Sequence, residues 1–326
     1  MKIAISDYVT FPAEIEKKVF PDGEFLFLEK SDLGKVDLGG VEVLLAWHQK
    51  IDTDYLSYFP DLKIIVRYGV GFDNIDLGAV KERGVVFANT PDYGTEEVAD
   101  TACAMILNAS RRVSFYDSSS RNYKDSTWQE NYDKSVKRSC KTTVGIIGIG
   151  RIGSAVVCRL KGFNFKILGF DPYLPSGHEK AIGYHRLDNL DDLLASSDIV
   201  SIHCPCNEET KGFINDRFFS KTKPGVSLVN TARGELLESL DVLEKYFLMD
   251  HFSSVQLDVL PDEPVEKSHP LIQKWLDRDP TIDGRLIINP HSAFYSESAW
   301  FEMRYKCAET AKIFLETGMV RNQIKA

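Results

Sequence analysis

No apolar run in the chain approaches the roughly 20 residues that a membrane-spanning helix needs. The first seven residues, Met1 to Asp7, show no signal-peptide pattern either. Repeats, low-complexity tracts and flexible linkers are missing. Cysteine is sparse, with six residues scattered at 103, 140, 158, 204, 206 and 307. That usage implies free thiols in a reducing, cytoplasmic compartment and no disulfide framework. Cys204-Pro205-Cys206 has no matching Cys or His pair at a ligand spacing, so no metal is expected. Positive charge is in deficit: 39 Lys and Arg against 48 Asp and Glu leave a net charge of −9. Neither nucleic acid nor an anionic membrane is an expected partner. The one basic cluster, Lys134, Lys137, Arg138 and Lys141, reads as a solvated surface patch.

What is present is an ordinary globular composition, 43% hydrophobic and 27% charged, in a chain long enough for about two domains. Short apolar, β-branched runs alternate with helical stretches. Candidate strands lie at 2–5, 41–47, 63–67, 85–87, 144–147, 166–170, 198–203, 226–230, 254–259 and 286–289. Unbroken apolar runs of this length imply strands buried on both faces, hence doubly wound parallel sheets of the α/β class. One long helix is expected at 96–112, with acids at its start and Arg111-Arg112 at its end. A second is expected at 296–318, where Ala299, Met303, Cys307, Ala311 and Phe314 recur at helical spacing. Residues 114–141 are polar and show no strand pattern.

Gly148-Ile149-Gly150-Arg151-Ile152-Gly153 follows the strand 144–147 and opens a helix. In that context GxGxxG predicts a dinucleotide cradle. Gly148 permits the tight turn and Gly150 lets backbone approach a pyrophosphate. Gly153 brings helix and strand close, so the helix N-terminus faces the anion. Asp171 ends the next strand, where a carboxylate would hold the adenosine ribose hydroxyls and repel a 2′-phosphate. NAD is expected rather than NADP.

Three chemically apt residues then fall just beyond strand ends: Arg233, Glu263 and His291. Ligands of doubly wound sheets sit outside those ends. A histidine tuned by a carboxylate suits proton transfer near neutral pH. An arginine fork matches both a carboxylate and a developing alkoxide.

The segments KIIVRYGVGFDNID (63–76), EVADTACAMILNASRR (97–112), NTARGE (230–235), DVLPDEP (258–264) and PHSAFYSE (290–297) resemble the D-isomer-specific 2-hydroxyacid dehydrogenases. Within that family the chain is most similar to the branch of the C-terminal-binding-protein corepressors. The resemblance implies two flavodoxin- or Rossmann-like domains. A substrate-binding domain, 1–104 with 296–326, would carry an inserted NAD-binding domain, 105–295. It implies Arg233, Glu263 and His291 as catalytic residues. The amides of Val70 and Gly71 in the loop 68–72 would face the substrate, with His48 and Arg67 lining the pocket. His203 and Thr231 would contact the nicotinamide half of NAD, and Asp258 would orient its carboxamide. A homodimer built on the cofactor domain is implied as well.

Two departures stand out. Phe294 occupies the place of a tryptophan in the corepressor branch, and the stretch from Glu263 to His291 is long. Its extra residues, 267–285, form either a surface excursion, which is favoured, or a lid. The expected activity is reversible reduction of a small 2-oxo acid to a D-2-hydroxy acid by NADH. Oxidation of 3-phosphoglycerate is the alternative reaction, and an NAD(H)-sensing interaction protein the alternative class.

Overall fold

The apolar runs become strands because each is buried on both sides: Ile3 to Ile5 and Val43 to Ala46 are 0% exposed. In the computed structural model, which describes residues 1–7, 12–121, 123, 128 and 132–325, they form two sheets. The first contains β1 (Lys2–Ser6), β2 (Glu24–Leu28), β3 (Val41–Ala46), β4 (Ile64–Arg67) and β5 (Val86–Ala88) in the order β2-β1-β3-β4-β5. The second contains β6 (Thr143–Ile147), β7 (Lys166–Phe170), β8 (His185–Arg186), β9 (Ile199–Ile202), β10 (Val226–Asn230), β11 (Phe252–Leu257) and β12 (Leu286–Ile288). Its order is β12-β11-β10-β9-β6-β7-β8. All pairings within both sheets are parallel. The first order is flavodoxin-like. The second is the Rossmann order with one further strand. Their strand order reverses between β1 and β3, and between β6 and β9, which is where such sheets take ligands.

The two strands absent from the expectation, β2 and β8, are both sheet edges. β2 is mostly half-exposed and β8 has only two residues, too few to carry a period. The helix Thr95–Arg111 ends where Arg112 adopts φ 56°, and the chain continues as a second helix, Val113–Arg121. That second helix occupies part of the polar stretch 114–141. Residues 122, 124–127 and 129–131 of the stretch lie outside the described residues.

Contacts divide the chain into two units, Met1–Gly94 with Tyr295–Ala326, and Thr95–Phe294. The second is thus inserted in the first. A boundary at 104 would cut the helix Thr95–Arg111, which instead stays whole. Its Ala99, Ala102, Cys103, Ile106 and Ala109 share one core with Val144, Ile146, Val156, Val157 and Leu160. The small residues on that face let the helix Arg151–Leu160 approach closely. The terminal helix Glu297–Thr317 is capped by Ser296, whose side chain accepts the Ala299 amide, and ends at Gly318 with φ 72°. It packs in the first unit, where Cys307 Sγ reaches the Val66 carbonyl at 3.4 Å and Trp300 packs on Trp47 with ring centroids 5.3 Å apart.

The long stretch 267–285 is a packed excursion. It holds the helix Pro270–Leu276, capped by His269 Nδ1 accepting the Leu271 amide at 3.1 Å. Leu271, Ile272 and Ile282 are all at most 2% exposed, and Leu271 and Ile282 join the core beneath the helix Leu240–Leu248. Lys274 pairs with Glu244 at 3.3 Å and Arg285 with Asp250 at 2.8 Å. No helix among the described residues is long and apolar enough to cross a membrane.

Candidate active site

In the second unit the glycine motif occupies the turn from β6 into the helix Arg151–Leu160. Gly148 has φ 84°, and a Cβ there would lie 2.5 Å from the Cys204 amide nitrogen. A Cβ on Gly153 would run into the Gly148 carbonyl, so helix and turn touch because both positions are bare. Gly150 caps the helix with no side chain in the way, leaving its first amides open to an anion. Arg151 is exposed and Ile152 half-buried at the helix start.

Asp171 stands at the end of β7 and accepts the Ile149 amide at 2.9 Å and the Tyr173 amide at 3.1 Å. Its carboxylate is thereby locked to the glycine turn. Arg186 reaches the same loop from β8, but it is engaged by the Leu174 carbonyl at 2.9 Å and Asp188 at 3.2 Å.

His203 follows β9, its amide held by the Ile147 carbonyl at 2.7 Å. Burial lowers its pKa to about 4, so the ring is neutral, and Nε2 meets Ser201 Oγ at 2.8 Å. Its Nδ1 and the Oγ1 of Thr231, just beyond β10, are buried polar atoms without a partner among the described residues. Such orphans are costly unless a ligand supplies the missing bonds.

Beyond β10, β11 and β12 the chain brings the three chemically apt residues onto one end of the sheet. Asn230 shapes the first turn, accepting the Ala232 amide at 3.0 Å and donating to the Arg233 carbonyl at 2.9 Å. Gly234 then lies directly against the Leu260 carbonyl, so the loops bearing Arg233 and Glu263 pack backbone to backbone. Glu263 Oε1 accepts the Leu260 amide at 2.8 Å, and its Oε2 lies 2.7 Å from His291 Nδ1. Burial alone would raise the Glu263 carboxyl. The hydrogen bond and charge of His291, the Leu260 amide and the Arg233 charge together hold it below the usual range. Arg233 Nη1 donates to the Ala232 carbonyl at 2.7 Å.

His291 has φ 53°, a backbone conformation rare for an L side chain. Asp258 holds it there. Its carbonyl accepts the His291 amide at 2.8 Å, and its carboxylate accepts the Ser292 and Ala293 amides at 3.0 Å. Asp258, assigned by resemblance to the nicotinamide carboxamide, therefore directs its carboxylate to the loop that carries His291. Burial raises its carboxyl pKa, while the two amides pull the other way. Phe294, half-buried, closes the same loop.

His48, Arg67, Val70 and Gly71 belong to the first unit. Asp7, at the end of β1, takes the His48 amide at 3.0 Å and the Gln49 amide at 2.6 Å, tying the ends of β1 and β3 together. After β4 every carbonyl from 67 to 70 has a donor. Thr90 Oγ1 serves Arg67 at 3.0 Å, Arg67 Nη1 serves Tyr68 at 2.9 Å, the Thr90 amide serves Gly69 at 3.0 Å and Asn89 Nδ2 serves Val70 at 2.7 Å. In a trans peptide the N–H points opposite to the carbonyl. Pinning the Gly69 and Val70 carbonyls therefore turns the Val70 and Gly71 amides away from Thr90 and Asn89, as a pair of adjacent donors suited to an anion. Gly69 needs to be glycine: its φ is 123°, and a Cβ would strike the Arg67 guanidinium.

Sequence reasoning passed over Asn89, Thr90 and Asn230, which shape these loops. Their signal was available: in both units Asn-Thr marks a strand end, Asn89 just after β5 and Asn230 as the last residue of β10, and asparagine there commonly binds nearby backbone.

The sequence model for the family described as "D-isomer specific 2-hydroxyacid dehydrogenase, NAD binding domain" matches residues 103–293. The chain belongs to this family. The D-3-phosphoglycerate dehydrogenases of Mycobacterium bovis and Mycobacterium tuberculosis are 34% identical over 265 residues, covering 81% of the chain and 47% of each relative. The chain thus spans about half the length of the curated relatives it matches. Among solved structures, the D-lactate dehydrogenase of Aquifex aeolicus, complexed with NAD and lactic acid, aligns with a TM-score of 0.81 and 27% identity, over 96% of this chain and 95% of that one. A D-lactate dehydrogenase of Treponema pallidum aligns with a TM-score of 0.78 and 25% identity over 100% of both chains.

The residues of the family's NAD-binding domain fit the cofactor. Open space beside Gly150, where a Cβ would meet nothing within 4 Å, leaves room for a pyrophosphate, and the two orphaned polar atoms lie at the ends of neighbouring strands β9 and β10. The narrower likeness to the corepressor branch rests on the quoted motifs alone.

Proposed function

We propose that the protein interconverts a small 2-oxo acid and its D-2-hydroxy acid, using NAD(H) in preference to NADP(H). The observation that carries this reading is the 2.7 Å contact between Glu263 and His291 Nδ1 at adjoining strand ends. Bound NADH would supply the hydride to the carbonyl carbon. With Nδ1 facing Glu263, His291 keeps Nε2 for the proton that passes to or from the substrate oxygen. Glu263, held ionised by its neighbours, faces Nδ1 and fixes the orientation of the His291 ring. Arg233 offers its guanidinium to the substrate carboxylate and oxygen. The Val70 and Gly71 amides take the carboxylate, with His48, Arg67 and Phe294 beside the substrate. On the cofactor side, Gly148, Gly150, Arg151, Ile152 and Gly153 hold the pyrophosphate and Asp171 the ribose. His203 and Thr231 serve the nicotinamide, and Asp258 holds the His291 loop.

A second substrate, 3-phosphoglycerate, is favoured by the names of the 34% identical relatives. Turnover with NADH across a panel of 2-oxo acids, and with NAD and 3-phosphoglycerate, tests both. Efficient turnover of 3-phosphoglycerate alone would replace the first substrate by the second, and no turnover of either would leave a binding protein. The working assembly is proposed to be a cytoplasmic homodimer, for which sedimentation at twice the chain mass is the test.

A further inference from the structure

One buried charge takes no part in the chemistry above. Glu16, on the helix Glu14–Val19, is 0% exposed. Arg304, from the terminal helix, donates to it through Nε at 2.8 Å and Nη2 at 2.6 Å. A third donor is the Tyr68 hydroxyl, 3.0 Å from Glu16 Oε1. Tyr68 is itself fully buried, and burial pushes its phenol far up, so it keeps its proton and donates. Buried ion pairs stabilise little, because desolvation offsets the attraction, and their better-attested effect is to single out one arrangement. Here that arrangement is the root of the loop 68–72.

Tyr68 leaves β4 with its amide on the Ala46 carbonyl at 2.8 Å. Its ring lies 6.0 Å from Trp47, which packs on Trp300, and Arg304 in turn covers Trp300 at 5.8 Å. Asn89 and Thr90 grip the carbonyls of the loop, and the Glu16–Arg304 pair grips the side chain at its start. We propose that the Tyr68 hydroxyl, anchored by the buried Glu16–Arg304 pair, is a positioning group that aims the Val70 and Gly71 amides at the substrate carboxylate. This rests on the reading of that loop as the carboxylate site.

Tyr68→Phe keeps the ring and removes only the anchor. The measurements on the whole protein are KM and kcat for the best 2-oxo acid, the melting temperature, and the Kd values of NADH and of oxamate. Oxamate is a non-reducible isostere of a 2-oxo acid and is titrated into the NADH complex. KM and the oxamate Kd should both rise, on the order of fivefold for one lost hydrogen bond, with kcat and NADH affinity nearly constant. An oxamate Kd equal in the two proteins, with only the melting temperature lowered, would overturn the proposal and reduce Tyr68 to packing. Failure of the wild type to bind oxamate would overturn it too, since the loop would then take no carboxylate. A wild type that binds oxamate but reduces no 2-oxo acid would sink the dehydrogenase reading alone, and the oxamate comparison would still decide the role of Tyr68.

Discussion

Arg233 and Lys would carry the same charge, but only Arg233 can donate to the Ala232 carbonyl, 2.7 Å away, and still present a planar edge to a substrate. Arg233→Lys should therefore lower kcat/KM by about 100-fold or more while the NADH Kd holds. Equal losses in both would mark Arg233 as a cofactor or structural residue. Glu263 is the sharper case. Its carboxyl lies below the ordinary range, so its charge is present above that range and lost only as the pH falls through the acid region. While ionised it faces His291 Nδ1 and so leaves Nε2 for the substrate. Glu263→Gln removes the charge and keeps the shape. kcat/KM for reduction should then fall by about tenfold or more with the NADH Kd nearly constant, and the decline in the acid range, where Glu263 takes up its proton, should be absent from the variant. An unchanged kcat/KM, with the chemical step rate-limiting, would mean that the 2.7 Å contact is not a working pair.

At the scale of elements, the excursion 267–285 separates folding from function. Leu271 is 1% exposed and shares its core with Leu243, Phe247 and Leu286. Leu271→Ala should cost about 2–5 kcal/mol of stability, read as a lower urea midpoint. If the excursion only packs, kcat and KM of the folded variant should stay within roughly threefold. A large rise in KM without loss of fold would return the lid to consideration. The element borders follow similar local rules. Ser296 and Gly318 bound the last helix as its sequence announces, whereas the break at Arg112 carries no glycine or proline to mark it. There the buried guanidinium pairs with Asp133 at 2.8 Å, a contact across 21 residues that no local pattern displays.

For the whole molecule, the inserted unit should respond to cofactor as a unit. NADH at 100 times its Kd stabilises a native protein by about 2.7 kcal/mol, and the melting temperature should rise accordingly. On the proposed placement of the ribose at Asp171, NADPH at equal concentration should raise it less, because a carboxylate repels the added phosphate. Asp171→Ala should narrow that gap. Equal shifts from both cofactors in the wild type would remove Asp171 as the selector. In the proposed homodimer a second copy could cover the exposed aromatic side chains of Tyr123, Trp128 and Tyr132.

Among the described residues, the amino-acid sequence alone reveals the two-sheet α/β class, ten of the twelve strands, the glycine turn and the strand-end positions of Arg233, Glu263 and His291. These are local matters: buried parallel strands are unbroken apolar runs, and a tight turn beside a helix demands bare positions. Tertiary structure alone decided which atoms meet. The sheet order sets β10, β11 and β12 side by side, and only that adjacency brings Glu263 within 2.7 Å of His291. It likewise decided that Asp258 serves the His291 loop, that Asn89 and Thr90 turn two amides outward, and that Glu16 meets Arg304 across 288 residues. The strand order and the helix packing that create these contacts leave no period in the sequence, because they arise between residues far apart in the chain.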